Sequence, residues 1–223
     1  MLYSSLIIDS VNVMSRIIRH FTLAGITGTG IAIFSLILDT DSTIFMLSMA
    51  TAYIGTLLIA LTLVLGPLNI LRGKNNPTSS YLRRDIGIWA GLVSIAHVVF
   101  GLQRHFDGKI WRYFLSEPEK GQGLIMRIDA FGLTNYVGLI ATILCIVLLA
   151  ISNNVSLKKL GAIQWKNIQR FNYLFFILVI GHGFMFQFVV KRPLSFVLVV
   201  GLAAVMAASM QWKAFNFRKN LEA

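Results

Sequence analysis

The run FNYLFFILVIGHGFMFQFVV, residues 171–190, decides how this chain folds. It contains no lysine, arginine, aspartate or glutamate, and about 20 apolar residues are what a helix needs to cross the hydrocarbon core of a bilayer. Its one histidine, His182, lies between Gly181 and Gly183. An ionisable ring at membrane depth is costly and marks a functional site by default. His182 is therefore the first candidate functional residue.

The rest of the chain also consists largely of long apolar runs. The chain has 223 residues, of which 56% are hydrophobic and 13% charged, and its mean hydropathy is +0.73. Long apolar runs of this kind predict an all-α integral membrane protein, a bundle of six transmembrane helices in a single domain covering residues 1–223. The predicted spans are residues 20–38, 43–65, 85–102, 130–151, 171–190 and 194–212, preceded by a short interfacial segment at residues 1–19.

The basic residues predict the orientation of this bundle. Thirteen of the twenty lysines and arginines lie in the N-terminal segment, the 66–84 and 152–170 loops and the C-terminal tail. Because basic loops stay in the cytoplasm, both termini are predicted to be cytoplasmic, in a plasma (inner) membrane. The net charge of +11 thus indicates topology and contact with the lipid bilayer, with no nucleic acid partner.

The longest outer loop, residues 103–129, carries Trp111, Tyr113 and Phe114 among charged residues. Aromatic side chains of this kind sit at headgroup depth in membrane proteins. The loop is therefore predicted to contain a short helix lying in the interface.

A second histidine, His97, lies inside the third predicted span. His97 follows Arg84 by thirteen residues, and His182 follows Gln169 by thirteen. At about 1.5 Å per residue, both rings lie roughly 20 Å from the cytoplasmic entry of their spans. Two neutral imidazoles facing each other at one depth can supply both axial ligands of a haem iron. A simple hydrogen bond between helices is the alternative.

Several neighbours of the two histidines suit a haem. Gly181 and Gly183 leave room for a flat macrocycle, although glycines also serve close helix packing. Arg104, His105, Lys191 and Arg192 lie just beyond the outer ends of the two spans, where haem propionates would need cations. The other two histidines, His20 and His105, stand at span ends and are predicted to be interfacial rather than ligands.

Three segments resemble the ferric-reductase-like transmembrane domain family. They are Tyr81 to Gly91 running on to His97, Trp165 to His182 with its Gln169-Arg170-Phe171-Asn172-Tyr173, and Gly66-Pro67-Leu68. The likeness covers roughly residues 45–190. The family includes the membrane domains of NADPH oxidases, metalloreductases, and the haem-binding membrane subunit of the methionine-sulfoxide reductase system.

The resemblance implies six helices, b-type haem between the third and fifth spans, and electron transfer across the membrane. His97 and His182 match the outer-layer ligands of the family. Members with two haems have another histidine thirteen residues before the one matched by His182, and here that position is Gln169. No histidine stands near Arg84 either. We therefore predict one haem b per chain and no inner haem.

These features support two possible functions, and they give less support to a third. In the first, the chain passes electrons from a cytosolic flavin donor or a membrane quinol to an acceptor on the outer face. A flavin at the cytoplasmic face or a separate flavin reductase would then be the donor, and the chain would be an oxidoreductase or the electron-transfer subunit of one. In the second, it is a haem-binding accessory subunit of a larger membrane complex. A haem-free channel would need polar pore-lining positions, of which the spans offer few.

Overall fold

The computed structural model describes residues 2–38, 40–74, 81–117, 123–190 and 194–222. Side chains are described from residue 14 onwards, apart from residues 107, 188, 190, 194–196 and 222. Within these ranges the chain forms seven α-helices. They are α1 (Leu2–Ile37), α2 (Thr43–Leu71), α3 (Tyr81–Gln103), α4 (Ala130–Ala150), α5 (Asn154–Gln169), α6 (Phe171–Val190) and α7 (Leu194–Glu222).

The prediction of an all-α bundle with six helices long and apolar enough to cross a membrane is confirmed. The six apolar segments are Met14–Ile37, Thr43–Leu71, Tyr81–Gln103, Ala130–Ala150, Asn154–Gln187 and Val197–Leu221. The fifth segment combines α5 with α6. The predicted third and fifth spans therefore correspond to α3 and α6.

Two backbone segments are more helical than the predicted spans. Residues 1–19 were expected to form a short interfacial helix leading into the first span, and α1 is continuous from Leu2 to Ile37. An interfacial position for its first part stays a prediction. Neither glycine nor proline occurs in residues 2–24, so nothing in the sequence ends the helix there. The 152–170 loop contains α5, which starts where the Asn153 side chain accepts a hydrogen bond from the Ser156 backbone N–H at 2.8 Å. Gly161 kinks it at φ +74°.

Helix α2 lies at the centre of the bundle and packs against α1, α3 and α7, while α6 packs mainly against α4. Helix α4 also packs against α3, but α3 and α6 make little direct contact with each other. Small residues bring α2 and α3 close together, since a Cβ added at Gly55 would lie 3.3 Å from the Ser94 hydroxyl. Because α3 and α6 have different main packing partners, side chains from both helices can project into the space between them.

One end of the bundle carries the last turns of α7, the first turns of α3 and α6, and most of the positive charge. Here Asp85 is fully buried, and its carboxylate lies 3.0 Å from Arg19 Nε and 3.5 Å from both Arg16 Nε and His20 Nε2. Trp89 Nε1 donates a hydrogen bond to His20 Nδ1 at 3.2 Å. These contacts fix α1 against α3. We call this end, where α3 and α6 begin and α7 finishes, the basic end.

Residues 104–117 and 123–129 close the opposite end, which we call the loop end. They form two 3₁₀ turns, Phe106–Gly108 and Ile110–Tyr113, followed by a short antiparallel pair, β1 (Leu115–Ser116) and β2 (Ile125–Met126). The short helix expected in this loop corresponds to the 3₁₀ turn Ile110–Tyr113, which carries Trp111 and Tyr113, and its position in a membrane interface stays a prediction.

The reason for this compact turn structure is Tyr113, whose ring is buried beneath the loop. Its hydroxyl donates to the Gly101 carbonyl at 2.8 Å and accepts from the His105 N–H at 3.0 Å. These bonds tie the loop to the last turn of α3. Burial raises the pKa of Tyr113 above its ordinary value, against the opposing effects of the His105 N–H and of Arg104.

Asp129 caps the N-terminus of α4. Its carboxylate accepts a hydrogen bond from the Gly132 N–H at 2.7 Å and pairs with Arg127 Nε at 2.9 Å. The Gly132 bond is the largest cause that lowers the pKa of Asp129, and the Arg127 pair adds to it, while slight desolvation opposes both. The ionised carboxylate is thus favoured in the folded chain.

We expect Asp129→Ala to destabilise the protein at pH 7 by about 1 kcal/mol, the usual value of a helix N-cap. Because the folded-state pKa is lowered, this contribution is present above the unfolded value of about 3.9 and is lost as the pH falls through the folded value. Thermal unfolding in detergent at neutral and acid pH measures both effects. Asp41→Ala removes an exposed acid of the same end and is the control. Equal shifts from the two variants would contradict the capping role.

Candidate functional site

His97 and His182 meet across the gap between α3 and α6. Their ring centroids are 6.4 Å apart, and the ring planes make an angle of 78°. Both side chains are half-buried. The structure thus brings together the two histidines that the sequence singled out, on the helices that correspond to the third and fifth spans.

A backbone carbonyl on a neighbouring helix orients each ring. His97 Nδ1 lies 2.8 Å from the Ser48 carbonyl oxygen of α2, and His182 Nδ1 lies 2.9 Å from the Thr134 carbonyl oxygen of α4. A carbonyl only accepts hydrogen bonds, so each Nδ1 carries the proton and the neutral ring has its lone pair on Nε2. Metal-ligating histidines are oriented in this way by their second nitrogen.

The ring of His182 also rests on the backbone of α4. A Cβ added at Gly138 would lie 2.7 Å from His182 Cε1 and 2.8 Å from Nδ1. Thr134 lies one turn before Gly138, so one face of α4 supplies both the hydrogen bond and the space for the ring. A side chain at position 138 would occupy the place of the imidazole.

Ser48, Thr134 and Gly138 were not identified from the sequence. The spacing of Thr134 and Gly138 is the small-xxx-small pattern of close helix contacts, and this signal could have marked α4 as a partner of α6. Ser48 contributes through its backbone carbonyl, which any residue carries, so its role has no sequence signal. A bonding role for a particular carbonyl follows only from the packing of α2 on α3.

The separation of the two rings fits a metal ion held between them. For metal–imidazole bonds of about 2.0–2.1 Å on opposite sides of one ion, the ring centroids stand roughly 6–6.5 Å apart. The observed 6.4 Å falls in this range. Among the described side chains, no group of three or more His, Cys, Asp and Glu could hold a metal ion. A metal ion between the two rings would therefore have these two protein ligands, the number of axial positions on a haem iron.

Both rings line a cavity of about 380 Å³, a size within the roughly 300–1,000 Å³ of ligand pockets. Gly183 lines it as well, together with Gly55 and Gly101, so that small residues border much of its wall. Gly181 is not among the described residues of the lining, and a Cβ added there would meet no atom within 4 Å. Of the two glycines beside His182, only Gly183 thus borders the cavity.

The predicted cations differ in what the structure shows of them. Arg104 lines the loop end of the cavity, with its guanidinium carbon 4.6 Å from the Phe45 ring centroid and Nη1 3.4 Å from Ser42 Oγ. Lys191 and Arg192 lie outside the described residues. Arg104 is therefore placed where a carboxylate inside the cavity could reach it.

The remaining two histidines, which were predicted to be interfacial, lie at opposite ends of the bundle. His20 is at the basic end, where it contacts Trp89 and Asp85. His105 borders the cavity at the loop end, but its ring packs among aromatic side chains, with centroid distances of 6.2 Å to Tyr113 and 5.7 Å to Phe131.

A continuous series of aromatic rings leads from His182 to the loop end. The centroid distances are 5.0 Å from His182 to Phe186, 6.0 Å from Phe186 to Phe131 and 5.8 Å from Phe131 to Tyr113. The Arg127 guanidinium lies 4.7 Å from the Phe131 centroid. These rings connect the histidine pair to the loop, and Phe186 and Tyr113 also line the cavity. The sequence did not predict that these rings lie together, because they come from three separate segments.

Comparison with known proteins adds no further assignment. No family model, curated protein or solved structure matches this chain. The likeness of residues 45–190 to the ferric-reductase-like transmembrane domain therefore stays a prediction based on sequence motifs.

Proposed function

We propose that this chain is a haem b-binding membrane protein that transfers electrons from a donor at the basic end to an acceptor at the loop end. One haem per chain would be held between His97 and His182. The observation that carries the proposal is the histidine pair itself, with centroids 6.4 Å apart and each Nδ1 bonded to a carbonyl of another helix.

The two histidines would bind the iron through Nε2. Their Nδ1 hydrogen bonds hold the ring planes and raise the basicity of the ligating nitrogen. When bound, haem supplies one-electron redox chemistry, and its axial ligands help to set the potential. Arg104 would pair with a propionate at the loop end, and Lys191 and Arg192 are proposed to add positive charge there.

A single haem fits the surroundings of Gln169. In the two-haem members of the family that this chain resembles, the residue at this position is histidine. Here it is Gln169, whose Nε2 donates a hydrogen bond to Ser152 Oγ at 3.3 Å. A glutamine amide is a poor ligand for haem iron, since haem proteins use His, Cys, Met or Tyr. The donor, a cytosolic flavin reductase or a membrane quinol, would therefore have to pass electrons to the outer site directly.

The charges orient the proposed transfer relative to the membrane. Because basic segments stay in the cytoplasm, we place the basic end and both termini there, in the plasma (inner) membrane. The aromatic series from His182 through Phe186 and Phe131 then leads to the outer face. An acceptor or partner protein on that face would receive the electrons.

We expect the purified protein to show a low-spin b-type absorbance spectrum that sharpens on reduction with dithionite. A pyridine haemochrome assay, compared with the protein concentration, should give one haem per chain. Haem-free protein from a host supplied with haem precursor would contradict the proposal. Two haems per chain would contradict the single-site assignment.

A further inference from the structure

A second cavity lies at the basic end of the bundle. Its volume is about 610 Å³, and residues of α2, α3, α4, α5, α6 and α7 line it. Cys145 and Phe175 line both this cavity and the one that holds the histidine pair, so the two are neighbours. The proposed haem does not occupy this space.

The walls of this second cavity carry an excess of positive charge. Five cationic side chains line it, and no aspartate or glutamate is among the described lining residues. The five are Arg83, Arg84, Lys166, Arg170 and Arg218. Asp85, which directly follows Arg84 in the chain, is buried instead against Arg16, Arg19 and His20 of α1. Gathering like charges around a partly enclosed space is unfavourable unless an anion compensates them.

Arg84 has guanidinium donors that lack hydrogen-bond acceptors within the part of the chain that the structure describes. Its Nη1 donates to Asn154 Oδ1 at 2.7 Å. Its Nε and Nη2 are shielded from solvent and have no hydrogen-bond partner among the described residues. Shielded donors without partners cost free energy, and a guanidinium fork matches the oxygens of phosphate or carboxylate.

We infer that this second cavity binds a phosphate-bearing anion. Five cations exceed what a single carboxylate would neutralise, whereas a phosphate offers several acceptor oxygens to more than one guanidinium. Trp165 and Tyr173 also line the cavity, so an apolar or ring-shaped group attached to the phosphate has a place beside it. The anion could be the headgroup of an anionic phospholipid, which basic pockets between membrane helices bind, or the phosphate of a soluble ligand.

Two matched pairs of probes test this site in the full chain, purified in a neutral detergent. Flavin mononucleotide and riboflavin share one ring system and differ by a phosphate. Phosphatidylglycerol and phosphatidylcholine with equal acyl chains differ in net charge. We expect the anionic member of at least one pair to bind about tenfold or more tightly than its partner, and this preference should weaken at high salt. Preference within the flavin pair assigns a soluble source, and preference within the lipid pair assigns a headgroup. No preference within either pair would overturn the inference.

Arg84→Gln locates the site. It keeps most of the side-chain volume but removes the charge, and we expect it to weaken binding of the preferred probe about tenfold or more, as for loss of a charged hydrogen bond. Arg72→Gln removes an exposed cation that does not line the cavity and should bind like the parent. Equal binding by the two variants would overturn the assignment. The haem spectrum of Arg84→Gln should be unchanged, which separates this inference from the proposed function.

Discussion

His97→Ala and His182→Ala are each expected to lower the haem content of the purified protein to a tenth or less. Each substitution removes one of the two nitrogens proposed to hold the iron. Loss of a residue that only hydrogen-bonds to a metal ligand commonly lowers metal affinity about 10- to 100-fold. Loss of the ligand itself should lower it at least as much. The haemochrome assay on equal amounts of folded protein measures the effect.

The other two histidines provide matched controls. His20→Ala changes a ring at the basic end that contacts Trp89 and Asp85. His105→Ala changes a ring at the same end of the cavity as Arg104, but among aromatic side chains. Both variants should keep one haem per chain. If either lost as much haem as His182→Ala, the ligand pair would be misassigned.

Adding free imidazole distinguishes ligation from a structural role. The space left by a missing ring can admit an imidazole molecule, which can bind the iron without restoring the hydrogen bond between helices. We therefore expect imidazole to recover a low-spin spectrum in His97→Ala or His182→Ala. Haem that persists in the double variant without imidazole would refute the site.

The position of the histidine pair could be predicted from the sequence because it depends on regular helix geometry alone. Equal spacing of His97 from Arg84 and of His182 from Gln169 implies equal depth if both segments are helices. The structure brings these rings within 6.4 Å of each other. The long apolar runs likewise determined the six spanning segments, because a bilayer requires a minimum helix length.

What the sequence did not reveal depends on contacts between distant segments. The turns of residues 104–129 are held by the Tyr113 hydroxyl on the Gly101 carbonyl, a bond that no local pattern encodes. Helix α5 has a mixed polar and apolar composition, so the apolar runs did not mark it. Its first turn has an asparagine cap at Asn153, a signal that could have been recognised.

Gly138→Ala is expected to lower haem affinity strongly, although residue 138 is not a proposed ligand of the iron. The new methyl group would stand 2.7 Å from His182 Cε1, closer than carbon atoms approach without repulsion. The ring cannot move aside without stretching its 2.9 Å hydrogen bond to the Thr134 carbonyl. We therefore expect haem affinity to fall about 10- to 100-fold, as for loss of an orienting partner. Haem titration of the apoprotein measures it.

Gly181→Ala is the matched control for this change. It adds the same methyl group directly beside His182 in the chain, but at a position where no atom lies within 4 Å. Alanine favours helix over glycine by about 0.5–1 kcal/mol in both places, so neither variant should lose helical content by circular dichroism. The two substitutions thus differ chiefly in whether they press on the imidazole.

The redox potential supplies a second measure of the Gly138→Ala effect. Where some haem remains bound, a displaced His182 should weaken axial ligation and move the midpoint potential away from that of the parent protein. Gly181→Ala should leave both haem content and potential at parental values. Equal behaviour of the two variants would mean that His182 does not rest on α4 in the haem-bound protein. The orientation of the ligand would then have to come from contacts other than Thr134 and Gly138.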